Sequence, residues 1–338
     1  MRLLKRTIQW TIGIICGLYF CLQIAMHIPP IQKWVGSAAS QVLHGMWDWD
    51  ISIGRIRLGL WNRIIIDDIK LKDKQDSILL HASRLAAKLE IIPLLDGKIS
   101  IANAQLFGTK ANLYQRSEQE KPNFQFILDT FKSDNTESNP INLRIGNIVL
   151  RRIDIKWDKQ WMPHKEDGTF DPSHIHLKDF ALTARLKVLG ADTLNLSLRR
   201  LSFKEASGFE LSNIAGDFSS GNNGAKIENF KITLPHSTLA IPSFMATWPD
   251  TPKDTDTKKW LGTTSWYAET QIQLTPSDFK ALIPRLAYAN TPIELTSKIY
   301  SMEECINVPQ LNLSNNGSLN LSAKLFVNDY INKPEYIV

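Results

Sequence analysis

An eight-residue pattern recurs along most of this chain and restricts what the chain can fold into. The pattern has the form h-x-h-x-x-h-x-h, where h is an apolar residue, and ISIGRIRL at 51–58 is a clear copy. Alternation with a period of two is typical of a β-strand with one apolar face. The two-residue skip would turn that face over unless a bulge or tight turn restores it, and Gly or Asn suits such a site. Further copies span 143–150, 225–234 and 306–313, and weaker copies span 99–106 and 175–182.

Many short strands with turn residues between them predict a mainly β architecture. Single strands and hairpins are only marginally stable, so the copies are expected to join into one continuous sheet. A few short helices are predicted beside it. One lies at 123–131, and another begins at Thr275, because Thr275, Pro276 and Asp278 are typical of a helix start.

Residues 8–28 contain no Asp, Glu, Lys or Arg and predict a transmembrane helix, since about 20 apolar residues cross a bilayer. Arg2, Lys5 and Arg6 precede this stretch and are expected to keep the N-terminus in the cytoplasm. The alternative is a cleaved signal peptide, which has a shorter apolar run and a cleavage site between small residues. Ala25-Met26-His27 is a poor site of that kind, so we predict that the anchor is retained.

Residues 31–46 place apolar side chains at intervals of three or four and predict an amphipathic helix. Such a helix lies against either the membrane surface or the body of the protein, and both placements remain open. The prediction therefore divides the chain into a basic tip with its anchor (1–30), an amphipathic helix (31–47) and a β-repeat region (48–338).

The residues that carry chemistry are few, and we predict no enzyme, cofactor or metal. The sequence contains no nucleophile elbow, phosphate-binding loop, dinucleotide fingerprint or Cys-x-x-Cys pair. The net charge is +5, but Lys and Arg are scattered along the chain, which argues against nucleic acid as a partner. Beyond the anchor Cys305 is the sole cysteine, so no disulfide can form within the exported part.

Three groups of residues suggest a functional site but also have structural explanations. His174 and His176, with His164 and Asp171 nearby, would share a face of a strand, but histidines are common on strand surfaces. Asp67-Asp68 is interpreted as a pair of turn acids beside a strand. Trp47, Trp49 and Trp61 follow the anchor and favour packing at the membrane interface or at the end of the sheet.

A run of strands with one apolar face, and no strong helical partner to cover it, predicts a binding surface. Lipid is a fitting occupant, because burying each CH₂ contributes ~0.8 kcal/mol and an acyl chain has many. The sequence pattern alone does not exclude the alternative, which is a closed β core without a cavity.

The order of features resembles the N-terminal portion of the TamB family, within the AsmA-like group, most closely the version found in Bacteroidota. The anchor is followed by ISIGRIRLGL at 51–60 and IIIDDIKLKD at 64–73. The sequence IIPLLDGKISI at 91–101 then leads into Ala104-Gln-Leu106. The resemblance covers about residues 1–115, beyond which only the general strand repeat continues.

The resemblance implies a long, twisted sheet curled like a taco into an apolar groove, anchored in the inner membrane and extending into the periplasm. It implies phospholipid transport between the inner and outer membranes. One alternative is a module for outer-membrane protein assembly with an Omp85-type barrel, and another is a structural tether. Family members are much longer, so this chain is expected to represent the inner-membrane end, and a barrel partner would dock through parts beyond it.

The repeats supply the residues predicted to line the groove. Which half of each copy faces inward depends on whether the skip is a bulge or a turn. The predicted lining residues are Ile51, Ile53, Ile56, Leu58, Leu85, Leu89, Ile91, Ile99, Ile101, Leu143, Ile145, Ile148, Leu150, Ile227, Phe230, Ile232 and Leu234.

Overall fold

The computed structural model describes residues 2–59, 62–90, 100–132, 144–165, 168–189, 193–248, 264–302, 304–316, 318–330 and 334–337. Within these residues the protein is mainly β, which confirms the predicted fold class at that level. The strands follow one another in chain order in one open sheet, and a short strand, β8, pairs beside β7.

The elements run as follows. Three helices are described: α1 (Arg2–Ala25), α2 (Pro29–Trp47) and α3 (Gln125–Lys132). The strands of the first half are β1 (Ile51–Leu58), β2 (Arg63–Lys72), β3 (Ile78–Leu89), β4 (Ser100–Gln115), β5 (Arg144–Lys159), β6 (His174–Leu189), β7 (Leu194–Glu205) and β8 (Glu210–Leu211). Those of the second half are β9 (Asn213–Gly221), β10 (Gly224–Thr233), β11 (Thr238–Thr247), β12 (Ser265–Leu274), β13 (Ile293–Met302), β14 (Cys305–Asn315), β15 (Leu319–Asn328) and β16 (Glu335–Ile337).

The chain divides into two compact units. The first unit comprises Met1–Ile145 and Arg152–Trp161, and the second comprises Gly146–Arg151 and Met162–Val338. In the first unit the pairings from β1 to β4 are antiparallel. In the second unit the pairings from β6 to β16 are antiparallel too.

The junction between the two N-terminal helices differs from the predicted one. Helix α1 ends at Ala25, before the two prolines, and Pro29 and Pro30 begin α2. Proline suits the first turn of a helix because its missing N–H has no partner there. Neither helix alone is long and apolar enough to be a candidate membrane span, and the two pass that test only as a pair with a 92° bend between them.

Helix α2 lies against the edge of strand β1. The Ile53 backbone N–H donates to Ser40 Oγ at 3.0 Å. A Cβ added at Gly36 would lie 2.9 Å from the Ile53 carbonyl oxygen, so glycine permits this close approach. The amphipathic helix therefore packs on the body of the protein and covers backbone that an edge strand would otherwise expose.

The helix predicted from Thr275 is absent as a regular helix. Residues Pro276–Phe279 and Pro284–Tyr288 instead form two 3-10 turns. Pro284 cannot donate the backbone hydrogen bond that a continuous helix needs at that position, and it opens the second turn. The other short helix begins two residues later than predicted, as α3.

Register shifts occur at the skips of four copies of the repeat. In β4, Ile101 pairs with Leu89 of β3 and Asn103 pairs with the next β3 residue, Lys88, so Ala102 between them has no partner in β3. The other shifts lie at 178–181 in β6, 228–231 in β10 and 308–311 in β14. Asp179 and Asn229, the second skip residues of their copies, have φ of 52° and 53°. These are β-bulges, and the extra residue restores the apolar face.

Ring contacts show the result directly in β10. Phe218 of β9 pairs with Ile227, which precedes the skip. Its ring also lies 6.0 Å from the ring of Phe230, which follows the skip. Paired residues point to one face of a sheet, so Ile227 and Phe230 share a face. Both halves of this copy therefore face the same way, which decides the choice that the sequence left open.

Replacing Gly108 with Val is expected to lower the free energy of unfolding by about 2 kcal/mol or more. Gly108 has a φ of 58°, and a left-handed backbone costs ~1–2 kcal/mol for other residues. An added Cβ would also lie 2.8 Å from Ser83 Oγ in the neighbouring strand.

Chemical unfolding of the full chain measures this change. Gly221→Val is the matched control, because Gly221 has no positive φ and no atom within 4 Å of an added Cβ. Equal destabilisation by the two substitutions would contradict the role of the left-handed position.

Candidate apolar binding face

A row of apolar residues crosses the second unit from strand to strand. Each member pairs with the next across an antiparallel ladder, so all of them project from one face of the sheet. Only one residue from each strand takes part. The first apolar row consists of Leu186, Leu196, Phe218, Ile227, Phe244, Ala268 and Ile299.

A second row runs beside the first. Ala268 and Ile272 are four residues apart in β12, which pairs regularly with β13, so the two rows lie on the same face. Phe230, between the rows, shares that face as shown above. The second apolar row consists of Ile214, Ile232, Leu239, Ile272, Leu295, Leu313 and Leu321. We call the two rows together the apolar face.

On the opposite face of these strands two neighbouring rows are polar, whereas a third row carries Met245, Tyr267, Tyr300 and Phe326. The polar rows alternate with the apolar ones, as expected where an antiparallel sheet has one face in water. One polar row consists of Ala240, Gln271, Thr296, Asn312 and Ser322. Another consists of Thr238, Gln273, Glu294, Ser314 and Asn320.

The apolar face is only partly covered. Thirteen of the fourteen side chains in its two rows are half-buried, and the fourteenth, Leu321, is 49% exposed. A solid core would bury such residues almost completely. Thr270 and Ser297 form a polar pair between the two rows, and their hydroxyls hydrogen-bond to each other at 2.6 Å. An apolar surface of this extent that stays partly open is typical of a binding site.

The first unit uses part of its apolar surface differently. Ile51 packs beside a core cluster of Trp49, Leu71 and Leu79, which also contacts Phe126 of α3. Ile53 is buried, whereas Ile56, Leu58, Leu85, Leu89 and Ile101 are half-buried. The structure therefore places Ile51 and Ile53 in a packed region and the other five on partly open surface.

The aromatic residues after the anchor belong to this packed region. The rings of Trp47 and Trp49 lie 4.9 Å apart, and that of Trp49 lies 6.1 Å from Phe126. Both tryptophans therefore pack at the end of the sheet, which was one of the two interpretations of their position. Trp61 lies outside the described residues.

The remaining predicted residues are placed as follows. Ile148 and Leu150 are half-buried in β5, and Leu234 is buried just after β10. Arg6 is exposed on α1. Ile91, Ile99 and Leu143 lie outside the described residues, as do the side chains of Arg2, Lys5 and Ile145.

The acidic pair Asp67-Asp68 lies inside β2, so the prediction of a turn was wrong. Asp67 accepts from Arg57 Nε at 2.9 Å and Arg84 Nε at 2.8 Å. Burial alone would raise the pKa of Asp67, but the two guanidinium groups outweigh it and lower the pKa. Asp68 has a φ of 57° and bonds to His81 at 2.7 Å. Each acid thus has a structural partner.

The histidines considered for metal binding have local partners as well. The rings of His164 and His174 stack at 3.6 Å, and His174 Nε2 lies 3.0 Å from the Met162 carbonyl oxygen. Asp171 accepts from the backbone N–H groups of Ser173 and Lys165 at 2.9 and 3.1 Å. His164, His174 and Asp158 nevertheless bring one ligand atom each to within 4.8 Å of one another, an arrangement that could hold a metal ion.

Sequence reasoning missed twelve of the fourteen residues in the two rows, because only Ile227 and Ile232 were among the predicted lining residues. Leu239 opens an overlooked copy of the pattern, LAIPSFMA at 239–246. Strands β12 and β13 carry no skip of the standard form, so Ile272 and Leu295 belong to no copy. Plain alternation at 266–274 and 293–301 could have revealed them. Two copies were also overlooked, at 64–71 and 148–155, whose second skip residues Asp68 and Arg152 have positive φ.

Comparison with known proteins adds no relative to these observations. The sequence matches no family model and no curated protein. An assignment of function therefore starts from the apolar face and its surroundings.

Proposed function

We propose that this protein is a non-enzymatic, inner-membrane-anchored periplasmic protein whose apolar face forms a groove for phospholipid acyl chains during transport between the inner and outer membranes. The observation that carries the proposal is the pair of seven-residue apolar rows, which lie side by side and remain partly open. The polar rows of the opposite face suit contact with water.

The dimensions of the apolar face suit an acyl chain. Neighbouring strands lie ~4.8 Å apart, so a row across seven strands extends ~29 Å. One acyl chain occupies about half of the ~30 Å hydrocarbon core of a bilayer, so either row is long enough for it. Holding about 15 methylenes in water would cost on the order of 12 kcal/mol, and contact with the rows would offset part of that cost.

Helix α1 supports a membrane location. Its large apolar side chains Trp10, Leu18 and Phe20 are exposed, as suits contact with lipid rather than with a protein core. In the proposal the apolar stretch at 8–28 anchors the protein, with Arg6 and the N-terminus in the cytoplasm and the strands in the periplasm, although α1 by itself is not a candidate membrane span. The resemblance to the TamB family implies which two membranes are connected, the inner and the outer.

The alternative in which sheet edges guide nascent outer-membrane strands has little support at the β1 edge. Strand addition needs an exposed edge with unpaired backbone groups. On β1, Ser40 of α2 already accepts from the Ile53 N–H, and α2 occupies that edge. Substitutions inside the groove would leave strand guidance nearly unchanged but would impair lipid transport. Such substitutions therefore distinguish the two functions.

Photo-crosslinking tests the proposal. A photoreactive amino acid at Ile232 or Phe244 in living cells is expected to capture phospholipid, because both positions belong to the apolar rows. The matched control is the same amino acid at Lys231, which is exposed on the opposite face. Capture of protein alone at Ile232 and Phe244, or equal lipid capture at Lys231, would refute the lipid groove.

A further inference from the structure

The connection between β12 and β13 projects from the second unit as an ordered excursion. Its base is closed where the Ser277 N–H donates to the Ala289 carbonyl at 3.1 Å. Residues 280–288 lie between these two residues and include the Pro284–Tyr288 turn. This segment is called the tip.

Four contacts fasten this excursion to its surroundings. The Thr275 N–H donates to Ser237 Oγ at 2.8 Å, and the Phe170 N–H donates to the Ala281 carbonyl at 2.8 Å. His236 binds Asp278 twice, through its backbone N–H at 3.0 Å and its ring Nδ1 at 2.9 Å. The tip is therefore held in a defined position, with Ala281 buried beneath it.

The tip exposes apolar side chains that a water-facing turn would not be expected to carry. Leu282, Ile283 and Tyr288 are 45%, 52% and 92% exposed. Burying them would be favourable, at ~25 cal/mol per Å² of apolar area. Their exposure leaves these three side chains available to a partner surface.

The charge of the tip indicates the chemistry of that surface. Lys280 and Arg285 are exposed, and residues 279–289 include no acid. The nearest acid, Asp278, has a side chain that is 3% exposed and is bonded to His236. Exposed apolar side chains between cations are typical of segments that lie at the boundary between lipid headgroups and acyl chains.

We propose that the tip docks on the surface of an anionic phospholipid bilayer. Leu282, Ile283 and Tyr288 enter the headgroup region, and the Lys280 ammonium and Arg285 guanidinium bind phosphate groups. The proposal rests on the contacts and charge of the tip, not on the apolar face, so the two proposals can fail separately.

A fluorescent label measures docking in the full chain. Nitrobenzoxadiazole is attached at Leu282→Cys after Cys16, Cys21 and Cys305 are replaced with Ser. The protein is then incorporated into vesicles of phosphatidylcholine alone, or of equal parts phosphatidylcholine and phosphatidylglycerol. We expect blue-shifted emission and quenching by a lipid-borne quencher only in the anionic vesicles. The same label at Asn222→Cys, exposed in the β9–β10 turn, should show neither.

Charge reversal supplies the decisive comparison. Lys280→Glu with Arg285→Glu is expected to lower the ratio of docked to free tip by at least about 25-fold, since loss of each cation near an anionic surface costs roughly fivefold and the new carboxylates add repulsion. The control pair, Lys298→Glu with Lys324→Glu, changes two exposed cations of β13 and β15 and should leave the ratio unchanged.

Equal signals in the two vesicle types would overturn the proposal, as would docking that survives reversal at the tip. A blue shift that the lipid-borne quencher does not diminish would also overturn it, because it would indicate a protein contact. Circular dichroism of each variant checks folding. Ile232→Asp, which changes the apolar face, should not affect the label, so failure of the lipid groove would be distinguishable.

Discussion

Replacing Ile232 with Asp is expected to reduce binding of a phospholipid acyl chain by roughly 100-fold. Ile232 lies inside the second apolar row, paired with Ile214 on one side and Leu239 on the other. An acyl chain lying along the row would remove water from a carboxylate at this position. A carboxylate in a hydrocarbon environment costs about 2.5–3.5 kcal/mol.

The fold should tolerate this substitution, because Ile232 is only half-buried and the free protein leaves the new carboxylate in contact with water. Binding of a fluorescent phospholipid to the purified full chain measures the effect, and transfer between two populations of vesicles measures its consequence. Lys231→Asp is the matched control, one residue away and exposed on the opposite face. If both variants bind lipid like the native protein, the apolar rows are not the lipid site.

Replacing Asp73 with Ala is expected to lower the free energy of unfolding by about 3 kcal/mol. Asp73 is 5% exposed and accepts four hydrogen bonds. Tyr114 Oη and Asn123 Nδ2 donate to one carboxylate oxygen at 2.7 and 3.2 Å, and two backbone N–H groups bind the other. Removing the acceptor leaves buried donors unpaired, at ~1–3 kcal/mol each before relaxation.

Chemical unfolding of the full chain measures this loss. Asp76→Asn is the control, because the Asp76 side chain is 79% exposed, its ion pair with Lys72 lies at the surface, and Asn tolerates the φ of 64° at this position. Exposed pairs contribute ~0–1 kcal/mol. A loss at Asp73 no larger than that at Asp76 would show that the hydrogen-bonded cluster is not important for stability.

The same carboxylate predicts a dependence of stability on pH. Burial alone would raise the pKa of Asp73, but the hydrogen bonds from Tyr114, Ser77, Asn123 and Gln75 outweigh burial and lower it below 3.8. A carboxyl whose pKa is lower in the folded state stabilises the protein above its unfolded pKa. The difference between native protein and Asp73→Ala should therefore be constant above about pH 5 and shrink as the pH falls through the folded pKa.

The strands and their bulges were predictable because they depend on local chemistry. Alternation specifies a strand with one apolar face, and the skip requires a correction at a defined place. Asn229 and Asp179 are residue types that tolerate a left-handed backbone, and both adopt it. Arg152 also adopts it without belonging to such a type, so at that position the pairing of strands overrides local preference.

The helix junction and the tip were less predictable. Two prolines can end one helix or begin the next, and only packing of α2 on β1 shows that they begin it. Pro284 divides the segment after Thr275, but its exposed apolar residues resemble the stripe of a packed helix when seen in sequence alone. Their exposure follows from contacts made by residues distant in the chain, such as Phe170 and His236.

By itself the sequence determined that this protein is mainly β and that each repeat carries one apolar face, because side-chain alternation and bulge chemistry act within a single strand. Only the tertiary structure decided which strands bring their apolar residues into common rows. Register links residues that are far apart in sequence, such as Ile214 and Ile232 or Leu239 and Ile272. It also decided that Ile53 is buried while Ile232 stays partly open, since burial depends on what lies above each strand.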